Sequence, residues 1–216
     1  MAGSWEIKAS NRVLCGILHV ENVTMAWAIG FRRLIVPGPI FPVCGAPFDH
    51  ARNSICQQAQ NLGLEYVFFL DSDVIPPADA ILRLLAHNQP IISGVYHRRS
   101  PPHGVPVAIN DQGWAIIPPN SGIHEVNLVG AGCLLIHRSV LEKLPPLDER
   151  RGKRWFDWRS DMAANLPPGE ALSEDFAFCL HARRNGYKIL VDSNVQCKHC
   201  GLGEAGFGSF IPLNLN

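Results

Sequence analysis

The sequence has no surplus of charge of either sign: lysine plus arginine and aspartate plus glutamate each number 19 in 216 residues. That excludes a chain-wide field recruiting nucleic acid or an anionic membrane, so any polyanion must be met by a local patch. No apolar run approaches the roughly 18 residues needed to cross a bilayer. The longest are broken by Gly16, His19, Pro37 and Pro39. Met1 to Ser10 has no basic stretch leading into an apolar core, so no signal peptide is expected. Internal repeats and low-complexity segments are lacking too, which excludes a repeat array. Cysteines number seven, and Cys15, Cys56, Cys133 and Cys179 sit among apolar residues, where a thiol acts as a small hydrophobe. A disulfide framework is not expected; a reducing, cytoplasmic setting is. Cys197 and Cys200 bracket His199 but have no matching second pair, which is a weak zinc signal.

What remains is globular. Hydrophobic residues make up 47% and charged residues 18%, enough for one domain with a sizeable core. The first half alternates strand and helix. Strands are predicted over Arg12–His19, Ile35–Phe41, Glu65–Leu70 and Pro90–Tyr96, and helices over Asn22–Leu34, Asp49–Leu62 and Pro77–His87. Asp49 is a candidate N-cap, and Gly63 stands just past its helix. This order predicts an α/β fold, a mostly parallel sheet flanked by helices in a single domain. In the second half, short strands are predicted over Val105–Asn110, Trp114–Ile117 and Ile123–Val126, with a longer one over Leu128–His137. A brief helix over Ser139–Leu144, a helix over Ser173–Asn185 stopped by Gly186, and strands over Tyr187–Val191 and Val195–His199 complete the chain. Between them, Pro145 to Gly169 reads as a long loop, a kind of segment that is often functional.

Four groups of residues carry chemistry. Asp71-Ser72-Asp73 follows Tyr66-Val67-Phe68-Phe69-Leu70, at the carboxyl end of a buried strand, where open α/β sheets bind ligands. Two aspartates at that spacing reach one hard cation that keeps positions open for phosphate oxygens; a plain turn is the alternative. Ser173-Glu174-Asp175-Phe176 offers a general base, and equally an N-cap with acidic residues on the helix dipole. The helical angle puts Asp175 nearer the buried face and Glu174 further round, so the two are not expected in one site. His199 ends the last strand, as a metal ligand or a structural histidine. Ala51-Arg52-Asn53 lies on an early helix, where an exposed polar face would also account for it.

In this order and spacing these segments, with Val129-Gly130-Ala131-Gly132-Cys133-Leu134-Leu135-Ile136 and Gly186-Tyr187-Lys188 through His199, resemble the GT-A glycosyltransferases, especially the family-2-like group in a compact, stand-alone form known from viruses. The resemblance covers residues 12 to 200. It implies that Asp71 and Asp73 hold Mn²⁺ or Mg²⁺ against the diphosphate of a nucleotide-sugar, a UDP-sugar above others. His199 is implied as the late metal ligand and Asp175 as the base of an inverting reaction, with Glu174 beside it. Arg52 and Asn53 are implied to touch the nucleoside, His19 the base, and Gly130, Ala131 and Gly132 the donor sugar. Residues 12–104 would form the nucleotide-binding half, 105–200 the acceptor half and 201–216 a tail. A viral member would work in the host cytoplasm. Two departures stand out: the first strand ends Ile17-Leu18-His19-Val20-Glu21-Asn22, without the usual proline-led start, and the long C-terminal appendage that many members use is not expected after His199.

The acceptor candidates come from the long loop. Arg150 to Arg159 mixes cations with aromatics, and Arg154, Trp155, Phe156 and Trp158 are placed to stack on a sugar or on a base. A second cationic patch is His97-Arg98-Arg99, with His103 nearby. A hydroxymethylated DNA base flipped into the site is one acceptor; a saccharide, glycolipid or protein hydroxyl is the rival. The same aromatics would close over the core if the loop were structural. A nucleotidyltransferase also uses paired aspartates, but it would want a glycine-rich loop after the first strand, which is missing here. A non-catalytic sugar-nucleotide or metal-binding module is a third reading.

Overall fold

The protein is described here by a computed structural model, covering residues 12–147, 154–159, 162, 165–200, 203–206 and 209–212. Its first half runs β1 (Val13–His19), α1 (Met25–Arg33), β2 (Ile40–Cys44), α2 (Phe48–Asn61), β3 (Tyr66–Asp71), β4 (Val74–Ile75), α3 (Ala80–Ala86) and β5 (Ile91–Val95). The second half adds β6 (Ala108–Asn110), β7 (Gly113–Trp114), β8 (Ile123–Val126), β9 (Leu128–Val129), β10 (Cys133–His137), α4 (Arg138–Lys143), α5 (Glu174–Arg184), β11 (Ile189–Gln196), β12 (Lys198–His199), β13 (Gly203–Gly206) and β14 (Ser209–Pro212).

Seven strands form the main sheet in the order β2-β1-β3-β10-β5-β11-β8. β2, β1 and β3 are mutually parallel, as are β5 and β11, while β10 and β8 run against their neighbours. The sheet is apolar on both faces because both are covered. Along β3, Val67 and Phe69 pack with α2 and α5, whereas Tyr66, Phe68 and Leu70 pack with α1 and α3. A strand buried on both sides must read as a continuous hydrophobic run, as Tyr66-Val67-Phe68-Phe69-Leu70 does. This is the α/β, mostly parallel, helix-flanked single domain expected.

Local boundaries differ for identifiable reasons. Thr24 accepts a hydrogen bond from the Trp27 amide at 3.1 Å, so α1 starts at Met25 and not at Asn22. Asp49 is not an N-cap: α2 opens after Pro47, which leaves Asp49 in the first turn. Pro37 and Pro39 have no amide to donate, and β2 pairs with β1 only from Ile40. Leu128–His137 is two strands, because β9 joins β6 and β10 inserts between β3 and β5, with Gly130-Ala131-Gly132 as the corner. Gly63 and Gly186 sit past their helices at φ +65° and +84°, the left-handed region that ends a helix cheaply only for glycine.

The long loop does not present its rings as expected. Trp155 and Phe156 are buried. The Trp155 indole donates to the Leu141 carbonyl at 2.8 Å. Phe156 stacks on Phe178 with centroids 4.6 Å apart and meets Phe69 edge-on at 5.2 Å. Neither ring is open to an acceptor; both plug the core between α2, α4 and α5. The segment is pinned by Asn53, whose amide accepts from the Trp155 and Phe156 amides and donates to the carbonyls of Asp49 and Phe156. All its hydrogen-bonding capacity is used, which leaves none for a nucleoside. Arg154 lies 3.9 Å from Asp49 and 3.6 Å from Asp157, and Trp158 alone stays open, at 51% exposure. Arg150 to Lys153 and half of the 201–216 tail lie outside the described residues. Among the described residues, no helix is long and apolar enough to cross a membrane.

Phe156→Ala should therefore cost about 3–5 kcal/mol of stability, the range for a buried ring with a residual cavity, and Trp158→Ala less than about 0.5 kcal/mol. Denaturant unfolding followed by tryptophan fluorescence and by circular dichroism measures both. Equal, small effects would show that the Phe156 ring is not part of the core.

Candidate functional site

The carboxyl ends of β1 and β3 lie side by side, Leu18 opposite Asp71. A cavity of about 630 Å³ opens there, within the range of small-molecule sites. His19 from β1, Gly45 and Ala46 after β2, Asp71 to Asp73, Tyr96, Arg99 and His199 contribute to its walls. His19 directs its Nδ1 to the neighbouring Val20 carbonyl at 2.7 Å.

His199 arrives from the far end of the chain. β12 pairs antiparallel with β4, His199 opposite Val74, and the Cys200 amide donates to the Asp73 carbonyl at 2.6 Å. That short ladder sets His199 Nε2 3.5 Å from an Asp73 oxygen. The other ring nitrogen, Nδ1, lies 2.8 Å from the His97 carbonyl. A carbonyl only accepts, so Nδ1 keeps a proton; Nε2, turned toward Asp73, donates to that carboxylate when the ring is protonated and offers a lone pair in the neutral Nδ1–H tautomer. Burial disfavours the Asp73 charge, but the hydrogen bond to His199 and the charges of His199 and Arg99 outweigh it and lower its pKa. A carboxylate facing an imidazole of that tautomer fits a divalent cation whose other positions are filled by phosphate or water oxygens. Among the described residues, no three His, Cys, Asp or Glu side chains converge to cage a metal on their own. Cys197 and Cys200 are both buried and form no disulfide.

Asp71 explains why the set is not larger. Its two oxygens take a guanidinium nitrogen of Arg52 at 3.2 and 3.3 Å. Arg52 Nε also donates to Glu174 at 3.0 Å, and Nη1 to the Ala131 carbonyl at 3.4 Å. Arg52 is 2% exposed and does not line the cavity, so it is neither a nucleoside contact nor part of an exposed face. Burial works against its charge, but Asp71, Glu174 and Asp175 raise its pKa nonetheless. The helical-angle reading of Glu174 also needs correction. Glu174 is 3% exposed, because the Trp155–Asp157 segment and α2 close over the side of α5 that would otherwise meet solvent. Glu174 and Asp175 thus share one cluster.

Asp175 is half-buried. One oxygen accepts from the Ser173 hydroxyl and, at 2.8 Å, from the Phe176 amide; the other accepts from the Ala131 amide at 3.1 Å. Gly130, Ala131 and Gly132 sit behind Tyr96 and do not line the cavity. A Cβ on Gly130 would come within 2.1 Å of the Tyr96 hydroxyl, and one on Gly132 within 2.8 Å of Val74. The glycines are there for close approach: the Gly132 amide donates to the Tyr96 hydroxyl at 3.0 Å. Burial, then the charges of Asp71 and Asp175, push the Tyr96 pKa well up, so the phenol stays protonated. Tyr96 was not singled out from the sequence, and Arg99 was read there only as part of the His97-Arg98-Arg99 cationic patch, not as a residue of the donor cavity. Their signal was position, just past a buried strand that ends at the same sheet edge as Asp71.

No protein-family model matches the sequence, and no curated protein matches it in sequence. Among solved structures, A197 from STIV superimposes with a TM-score of 0.62 at 15% identity, over 95% of this chain and 95% of its own. S. aureus TarS residues 1–349, solved in complex with UDP-GlcNAc, gives 0.50 at 14% identity, over 85% of this chain and 56% of that one. An apo UDP-glucose pyrophosphorylase aligns at 0.43 and 13% identity, over 88% and 76%, too loosely to carry an argument. Such identities speak of architecture: the chain has a GT-A-like fold.

The cluster predicts a pH signature. Burial, then the Asp175 charge, push the Glu174 pKa up to about 7, against the pull of Arg52. The native state therefore binds a proton there that the unfolded chain releases from about pH 4.5. Its stabilising contribution is complete below that pH and is lost as pH rises through about 7. Glu174→Gln keeps an acceptor for Arg52 and removes the titration. Between pH 5 and pH 8 the native protein should lose on the order of 2–3 kcal/mol more than the variant in urea unfolding. Parallel pH profiles would reject the assignment.

Proposed function

We propose that the chain is a glycosyltransferase that moves a sugar from a nucleotide-sugar, a UDP-sugar above others, to an acceptor hydroxyl. The observation that carries this reading is the pair Asp73 and His199, set face to face in a nucleotide-sized cavity at the carboxyl edge of β1 and β3. The GT-A-like fold, shared with a TarS fragment solved with UDP-GlcNAc, supports it. Asp73 and His199 would hold Mn²⁺ or Mg²⁺, with Asp71 behind them. When bound, the cation neutralises charge on the departing diphosphate.

The chain's own residues supply the rest. Arg52 holds Asp71 in place from beneath, so the β3 terminus need not reorganise during turnover. Asp175 lies outside the cavity lining and is the base on the acceptor's side: its carboxylate is half-buried, whereas Glu174 is closed off against Arg52. A single displacement inverts the anomeric centre. Residues 12–104 form the nucleotide half, since among the described residues the cavity takes only Val107, His199 and Cys200 from later in the chain. Residues 105–200 serve the acceptor. Burial of Trp155 and Phe156 removes the ring pair on which a flipped DNA base would rest. We therefore place the acceptor among saccharide, glycolipid or protein hydroxyls, approached past Trp158 and Arg154. No glycine-rich loop follows β1 to serve a nucleotidyltransferase.

Asp73→Ala should abolish transfer and Mn²⁺-dependent nucleotide binding while the melting temperature hardly moves, because Asp73 coordinates and does not pack. Full turnover by that variant in EDTA would refute the metal assignment. Asp175→Asn should lower kcat by roughly 10²–10⁴-fold with donor affinity unchanged. Labelled-sugar transfer to a glycan panel, hydroxymethylated DNA and unmodified DNA identifies the acceptor. Transfer to hydroxymethylated DNA alone would reverse the acceptor choice and leave the donor site standing.

A further inference from the structure

Two arginines follow β5, and the fold uses them in opposite ways. Arg98 is braced outward: its guanidinium lies 4.1 Å from the Trp114 ring centroid, pairs with Glu170 at 2.9 Å and donates to the Pro101 carbonyl at 2.7 Å. Arg99 turns into the cavity. One guanidinium nitrogen donates to the Cys200 carbonyl at 2.7 Å, and another lies 2.9 Å from Asp73 Oδ2. Among the described residues, Arg99 is the sole lysine or arginine lining that cavity. Its side chain remains 42% exposed, so its hold on Asp73 is screened and exchangeable.

We propose that Arg99 is a diphosphate-binding residue whose resting partner is Asp73: a nucleoside diphosphate draws the guanidinium off Asp73 and uncovers that carboxylate for the divalent cation. The inference rests on the nucleotide-sugar reading and adds a second cation to it. The charges call for one. Asp71 is already balanced by buried Arg52, and Asp73 by Arg99. An incoming diphosphate adds negative charge in a partly desolvated cavity, and the planar guanidinium fork matches phosphate oxygens two at a time. Cys200, which anchors the fork's other arm, follows directly on His199, so the arginine is held beside both cation-binding residues. Arg99 and the cation are thus competitors for Asp73 before the nucleotide arrives and partners on the diphosphate afterwards.

The experiment compares the native protein with Arg99→Gln and Arg99→Lys. Mn²⁺ binding is read from loss of the free-ion EPR signal without nucleotide, and UDP and UMP binding by calorimetry at fixed Mn²⁺. Arg99→Gln should bind Mn²⁺ alone about threefold or more tighter, as a competing cation is gone, yet bind UDP about tenfold weaker, as a charged fork is lost. UMP should lose less than about threefold, and Arg99→Lys should recover part of the UDP affinity but not all. UDP affinity within twofold of native in Arg99→Gln, or equal losses for UDP and UMP, overturns the diphosphate assignment. Unchanged or weaker Mn²⁺ binding overturns the competition at Asp73. If the native protein binds none of UDP, GDP, ADP and CDP, the donor reading fails and the diphosphate assignment with it, while the Mn²⁺ comparison still decides the Arg99–Asp73 contact.

Discussion

A single guanidinium sits where four segments of this protein meet. Arg52 of α2 reaches Asp71 at the end of β3, Glu174 at the start of α5 and the Ala131 carbonyl in the turn before β10. A buried arginine is tolerable only when its charge and its donors are matched, so these elements have to stop within hydrogen-bonding distance of it. The end of β3 is fixed by that requirement from beneath and by the Trp27 indole, which donates to the Asp71 carbonyl at 3.1 Å. The turn is fixed from its other side by Asp175, which accepts from the Ala131 amide. Three carboxylates around one arginine leave an excess of negative charge. Burial and that excess together hold the Glu174 proton close to neutral pH.

Upon this anchored edge the fold sets a second, more exchangeable layer. The small sheet β4–β12 brings His199 across to Asp73, and the Cys200 amide closes the join. Around Asp73 the groups are partly exposed and can be re-partnered; around Asp71 they are buried and cannot. The division suits a site that must keep its frame while a charged ligand enters and leaves. A frame built on solvated ion pairs would be screened and loose, and a ligand shell built on buried ones would be costly to open.

The long loop shows the opposite exchange, of apparent recognition for packing. Trp155 and Phe156 lie among cations and prolines in the sequence, a composition that reads equally as a binding surface and as a cover. Asn53 decides the matter by pinning the loop backbone with both ends of its amide. Once the backbone at 155–156 is tied to α2, the Phe156 ring lies between Phe69 and Phe178 and the Trp155 indole on the Leu141 carbonyl. The same pinning stacks Phe156 on Phe178 of α5, while Glu174 at the start of that helix is closed off by Arg52.

Much was legible from residue order alone. The βαβ alternation, the doubly buried strand before Asp71-Ser72-Asp73 and the glycines that end α2 and α5 are local consequences of steric preference and burial, and they determined the α/β architecture and the edge where the cavity lies. Proximity between residues far apart in sequence is a different kind of information. That Arg52 meets Glu174, that His199 meets Asp73, and that adjacent Arg98 and Arg99 point to different sides depends on how β10 threads between β3 and β5 and on where β12 lands. Helical angles around Glu174 and Asp175 state correctly which side chains diverge on an isolated helix. They carry nothing about what packs against each side, and burial, charge pairing and pKa are set by those neighbours, so only the tertiary structure decided them.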